Sequence, residues 1–213
     1  ERFWEEVDER YNPDLIVLIG PDHNDAGVAH VTTNVNVDSE EVTVDAEFVN
    51  ALHETALVDF DTVVQADHSI QIHLASIQKY FDDTPIVPLV LQSDTTQQEV
   101  LVMAEALRNL FQDRKVFIAA SVDFSHYLPR NEAEIHDQFS LQSIRDFAYK
   151  DLEYLNADYM DSDQSIVLLS ELVCPTHDCA WEEYYHGNSE DYVPSYDYTT
   201  SYFTLFLENE IPL

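Results

Sequence analysis

Positive charge is scarce in this sequence. Nine Lys and Arg stand against 42 Asp and Glu, giving a formal net charge of −33. Lysine occurs only at Lys79, Lys115 and Lys150. Such a surface repels polyphosphates, which argues against nucleic acid and anionic membrane as partners. Glycine is almost as rare, with three in 213 residues. The glycine-rich phosphate motifs are therefore absent, as is the Gly-x-Ser-x-Gly elbow of serine hydrolases. There is no apolar run of the ~18 residues that a membrane-spanning helix needs, and no signal peptide. The two cysteines, Cys174 and Cys179, sit in CPTHDC. They can form a small-loop disulfide or remain thiols, and their number does not fix the compartment. Cys174, His177 and Cys179 fit no common zinc finger, and no second Cys/His pair follows.

What is present describes a folded body. Apolar residues make up 45% and aromatics 12%, enough to build a core and to argue against disorder. Acidic residues are spread along the whole chain, with no block at either end, so they form a surface rather than a tail. Low lysine with abundant carboxylates is the composition of a halophilic protein. At about 1 M salt the screening length is only ~3 Å, and surface repulsion is damped. In dilute buffer the same charge destabilises the compact state. The expected setting is the cytoplasm of a salt-adapted microorganism. The chain opens at Glu1, without Met, in what reads as mid-helix. An earlier natural start is expected, and an upstream anchor or signal stays open.

Helical and strand-like segments alternate. Phe3 to Tyr11 reads as the end of a helix, broken at Asn12-Pro13-Asp14. Leu15 to Gly20 is wholly apolar, as a strand buried on both faces must be. Val31 to Val44 alternates and should contain one or two short strands. Asp45 to Glu54 is predicted helical with Asp45 as N-cap. His68 to Phe81 is a second helix, with Ile70, Leu74, Ile77 and Phe81 on one face. Pro85 to Leu91 is a strand, and Asp94 or Thr95 should cap a helix running to Phe111. Val116 to Ala120 is a strand. Helices follow at Asn131 to Tyr149 and Asp163 to Leu172. A strand is expected to start at Tyr184 to Tyr185, ahead of a Tyr-rich loop, and a final strand runs from Ser201 to Leu207. The pattern predicts a single α/β domain over residues 1–213, with a mainly parallel or mixed central sheet and helices on both faces.

Three segments end a strand-like or apolar run in polar chemistry: LIVLIGPDHN, VVQADHSIQIHL and VFIAASVDFSHY. In open α/β sheets ligands bind at the carboxyl ends of strands. His23, just after a strand, suits a metal ligand or a general base, though a surface loop His is as natural a reading. Asp67 can be a functional carboxylate or simply an N-cap. His68 and His73 are five apart and do not share a helical face, so His73 is expected to pack against the sheet. Asp123 and His126 are three apart. An Asp can orient an imidazole through one ring nitrogen and leave the other for proton transfer. His186-Gly187-Asn188 and Tyr192 lie in the last loop region, where they can close over the same crevice.

Taken together, these segments resemble the Memo-like family, also called AmmeMemoRadiSam system protein B. GPDHN is similar to its Gly-Pro-Ser/Asn-His motif, and DHSIQIHL to Glu-His-Ser-x-x-x-His-Leu-Pro. TPIVPLVLQ is similar to the following Ile-x-Pro-Val/Leu strand, SVDFSHY to Ser-Ser-Asp-Phe-Ser/Cys-His-Trp/Tyr, and TTSYFTLF to the last strand. The resemblance implies the fold of class III extradiol dioxygenases, which hold non-haem iron. It places His23 at a metal-ligand position and His126 at the acid/base histidine. Asp67, His68 and Asp123 fall on motifs that support the cofactor from behind. Three departures stand out. The family's first ligand lies in a Pro-His-Ala-Gly-Tyr motif upstream of Glu1, so the first strand and motif are expected to be missing. The family's Cys or acidic ligand before the last strand has no clear counterpart, Asp191 and Tyr192 lying nearest. The motif Glu is Asp67 here.

The expected function is a metal-dependent redox or dioxygenase-like enzyme of unknown substrate. An iron or copper ion would sit on His23 and upstream ligands, with His126, oriented by Asp123, moving protons. His23, His126 and Asp67 or His68 are then expected to converge on one strand-end pocket. The alternative is a non-enzymatic module that binds a small molecule or peptide in the same cleft, and a degenerate domain kept for interaction is a third. The oligomeric state is left open.

The charge makes the first prediction. Thermal midpoints should rise between low and molar salt, by ~2–4 °C for each ~1 kcal/mol of relieved repulsion. An unchanged or lower midpoint in molar KCl, repeated with a second salt, would refute the halophilic reading.

Overall fold

The computed structural model describes residues 2–39, 42–153, 158–194 and 198–209. The chain divides into two units, Glu1–Ser121 and Val122–Leu213. The class is α/β, as expected, with a mixed, mostly parallel central sheet.

In the first unit the elements are α1 (Arg2–Arg10), β1 (Leu15–Pro21), β2 (Val31–Thr33), α2 (Ala46–His53), β3 (Asp59–Phe60), α3 (Val63–Ala66), α4 (His68–Tyr80), β4 (Ile86–Leu91), α5 (Gln97–Phe111) and β5 (Val116–Ala120). The sheet order is β3-β2-β4-β1-β5. β1 pairs in parallel with β4 and β5, and β2 runs antiparallel to β4. Every residue of β1 and β4 is buried. Since alternate side chains point to opposite faces, both faces of these strands are covered. The helices pack in pairs, α1 with α4 and α2 with α5. Asp45 caps α2 by accepting from the Phe48 amide, as the sequence predicts. The cap of α5 falls on Thr96 rather than on Asp94 or Thr95. There Glu99 returns to the Thr96 amide while the Thr96 hydroxyl accepts from the Glu99 amide, a reciprocal capping pair.

In the second unit the elements are β6 (His126–Leu128), α6 (Arg130–Arg145), α7 (Tyr149–Glu153), α8 (Asp163–Val173), β7 (Cys179–Asn188), a 3-10 turn (Ser189–Asp191) and β8 (Thr199–Asn209). The three strands form an antiparallel sheet ordered β6-β8-β7. The predicted Asn131–Tyr149 helix is in fact two. Phe147 adopts a left-handed φ of 51°, and the Ala148 and Phe147 amides fold back onto the Ser143 and Ile144 carbonyls. This closes the helix end as a glycine normally does. The left-handed residue is held by stacking of its ring on His177 (4.4 Å, 4°). β7 starts at Cys179, five residues before the expected Tyr184. A Cys174–Cys179 disulfide ties its first residue to the end of α8. Both sulfurs are consumed by that bond, so no zinc thiolate site exists there. Of the Tyr-rich loop, residues 195–197 lie outside the described residues.

His73 faces α1, where the Trp4 indole donates to its Nδ1 at 3.0 Å. Burial pushes its pKa from 6.5 down to about 4. Above pH 6.5 the folded and unfolded chains both hold it neutral, and stability is full. As the pH falls below 6.5 the unfolded chain takes up a proton that the folded chain refuses, so stability drops until about pH 4. The loss amounts to ~3 kcal/mol at most. Denaturant unfolding at pH 7 and pH ~4.5 checks this. His73→Gln, which keeps an acceptor for Trp4, should flatten that slope. An identical slope in both proteins would show that other groups carry it.

Candidate metal centre

The site begins at the end of β1. A side chain at Gly20 would put its Cβ 2.1 Å from the Ser69 hydroxyl. Glycine therefore lets the first turn of α4 press against the strand end. After Pro21 the chain turns around the buried Asp22 carboxylate, which accepts from the amides of Asn24 (3.2 Å) and Gly27 (2.7 Å). This turn sets His23 facing the start of α4.

There Asp67 serves two ends. Its Oδ1 accepts from the Ser69 amide (2.9 Å) and the Ser69 hydroxyl (2.8 Å), capping α4. The same oxygen lies 2.9 Å from His23 Nδ1, and Oδ2 accepts from the His23 amide at 3.2 Å. Burial alone would raise the Asp67 pKa, but the donors from His23 and Ser69 outweigh it and hold the carboxyl at about 2. An ionised Asp67 requires the proton on His23 Nδ1, so in the neutral ring Nε2 is the nitrogen with the lone pair. His68, the first residue of α4, lies beside it, with ring centroids 3.7 Å apart and planes inclined by 35°. His23 and His68 are exposed and Asp67 is buried, and one ligand atom from each lies within 4.8 Å of the others.

This set suits a transition metal. Two imidazoles with a carboxylate are the donors of non-haem iron sites, and imidazole serves copper equally well. The hydrogen bonds divide the labour. The Asp67 oxygens are already engaged by four donors, so Asp67 is the group that orients. His23 and His68 each offer a ring nitrogen as the ligand atom.

His126 and Asp123 lie in the second unit. His126 is buried, and its Nδ1 is met at 3.0 Å by the Phe124 carbonyl. The sequence reading expects the Asp123 carboxylate to orient this ring; the contact seen at Nδ1 is to the backbone. A carbonyl accepts only, so Nδ1 carries the proton and Nε2 is the accepting nitrogen. Asp123 exchanges backbone contacts with Asp161: its amide donates to the Asp161 side chain, and its carbonyl accepts from the Asp161 amide, both at 3.1 Å. Asp191, the nearest counterpart of the family's last ligand, is gripped by Arg130 at 2.6 Å. Asn188 binds the Thr199 hydroxyl, and the Tyr192 hydroxyl lies 2.8 Å from that of Tyr185. Asp22, Gly20 and Ser69 were not singled out from sequence, although Asp-x-Ser ahead of an apolar helix is an N-cap signal.

The family model described as Memo-like protein matches residues 2–190. The chain belongs to the Memo-like protein family. A MEMO1 family protein of Metallosphaera sedula is 30% identical over 157 residues, covering 69% of this chain and 55% of that protein. One from Archaeoglobus fulgidus is 29% identical over 194 residues, 88% of this chain and 69% of its own length. One from Saccharolobus islandicus is 29% identical over 150 residues, with shares of 66% and 52%. The Memo-like chain thus spans about half the length of the first curated relatives it matches.

Two substitutions separate the tasks of Asp67. Asn caps helices about as well as Asp, so Asp67→Asn should cost little stability yet lose the charge that fixes the His23 proton. Asp67→Ala should lose the cap as well, at ~1–2 kcal/mol. Chemical unfolding together with the His23 side-chain NMR tautomer signals would check this. Equal stability of wild type and Asp67→Ala would show that Asp67 does not hold α4.

Proposed function

We propose that this Memo-like chain holds a non-haem iron or copper ion through His23, with His68 beside it, and supports redox or dioxygenase-like chemistry on a small molecule. The observation that carries this reading is the hydrogen bond from His23 to the buried Asp67. It fixes the tautomer that leaves Nε2 for a metal. The bound ion would supply electron transfer and polarise an oxygen atom. The protein's part is to hold that ion in a set orientation and to handle protons. The motif likeness to the AmmeMemoRadiSam proteins and the extradiol dioxygenases supports His126 as the acid/base group. Its Nε2 is the acceptor because Nδ1 is tied to a carbonyl. The same likeness supports a supporting role for Asp123.

A second reading is a non-enzymatic module that binds a small ligand or peptide. It is favoured by the small donor set: among the described residues the cluster has two imidazoles and one already engaged carboxylate.

Metal content per chain after dialysis tests the proposal. Wild type should retain iron or copper, and His23→Ala should lose most of it. His126→Ala should keep the metal and lose turnover. Asp123→Asn should be milder than His126→Ala, within the ~10–100-fold typical of supporting groups. Equal metal in wild type and His23→Ala would refute the ligand assignment. A wild type without metal would favour the binding module.

A further inference from the structure

The second unit contains a carboxylate that its protein surroundings do not satisfy. Asp137 on α6 is 1% exposed, and neither of its oxygens has a hydrogen-bond partner among the described residues. A buried carboxylate in that state costs several kcal/mol, and native proteins nearly always meet such a group with a donor or an ion. Among the described residues, His186 on β7 lies within ion-pair distance, with Nε2 3.4 Å from Asp137 Oδ2. The pair does not meet hydrogen-bond geometry. One turn further along α6, the Ser140 hydroxyl is also buried without a partner.

We propose that Asp137 and His186 are ligands of a divalent transition-metal ion. Carboxylate oxygen with imidazole nitrogen is a donor pair for zinc-class ions, whereas alkali and alkaline-earth ions take oxygen alone. The spacing also fits. Two ligands at ~2.1 Å from a tetrahedral ion stand ~3.4 Å apart, the separation seen between Nε2 and Oδ2. The His186 side chain is 37% exposed while that of Asp137 is 2% exposed, so the ion has an entry on the imidazole side and water can complete its coordination. The ring is held flat against Phe203 (4.1 Å, 15°), which fixes the direction of Nε2. Ser140, i+3 from Asp137 on the same helix, is a second buried polar group there without a hydrogen-bond partner. The site shares no residue with the His23 cluster and does not rest on the function proposed for it.

The test is a Co2+ titration of the His23→Ala protein, in molar KCl with excess Mg2+ to occupy the acidic surface. That background removes the first centre, so failure of the earlier reading leaves this result unaffected. We expect saturable Co2+ uptake with visible d–d bands. Adding His186→Ala should weaken it by at least ~10-fold, since losing a ligand exceeds the loss of a supporting group. His186→Cys should restore binding and add a sulfur-to-cobalt charge-transfer band, a signature that a purely structural His186 would not give. Absence of Co2+ uptake in the His23→Ala protein would overturn the proposal. So would uptake unchanged by His186→Ala, or a Cys variant without the new band.

Discussion

A carboxylate can be taken out of water only where donors surround it, and Asp67 is where this chain meets that condition most fully. Four hydrogen bonds converge on it, from two residues. Two of them start a helix and two fix a loop. The first turn of α4 and the loop after β1 are therefore one object, joined at a single buried group. Gly20 belongs to the same constraint, because a Cβ there would drive Ser69 away. Remove the carboxylate and the helix loses its cap while the imidazole loses its tautomer. The start of α4 and the orientation of His23 thus rest on the same group.

The scarcity of Lys and Arg shapes how this is done. Among the described residues three carboxylates are buried, Asp22, Asp67 and Asp137. With nine basic side chains for 42 acids, guanidinium partners are too few to neutralise them inside. Asp22 and Asp67 are served instead by backbone amides, hydroxyls and imidazole. The basic residues are spent at the surface, as in Arg130 with Asp191 and Arg145 with Glu183. Asp137 received an imidazole and no amides, which is why it alone of the three lacks hydrogen bonds.

Much of the fold was readable because burial leaves a direct mark. A strand covered on both faces must be apolar throughout, and LIVLIG and IVPLVL are. Features that depend on one backbone torsion were not readable. Phe147 is in the left-handed region without being glycine, so the break between α6 and α7 had no signature in the residue types. At the site, the sequence located His23, Asp67 and His68 at element ends, which is a matter of pattern. It did not show that Asp67 reaches across 44 residues to His23. For His126 it suggested a nearby side chain, Asp123, as the orienting group. It did not show that the Phe124 carbonyl meets Nδ1, and every residue has a carbonyl, so composition carries no trace of that contact.

Salt then acts on the two classes of charge differently. Surface carboxylates feel one another through water, and at molar ionic strength the screening length of ~3 Å removes most of that repulsion. The contacts of Asp67 are direct hydrogen bonds of 2.8–3.2 Å, with a side chain only 2% exposed. Screening ions do not enter between such partners. The outside of the molecule can therefore be adapted to an ionic medium while the geometry around His23 stays fixed. The acidic surface and the candidate metal centre are in this sense independent properties of one sequence. They are linked only by the shortage of cationic side chains, which left backbone amides and histidines to do the pairing inside.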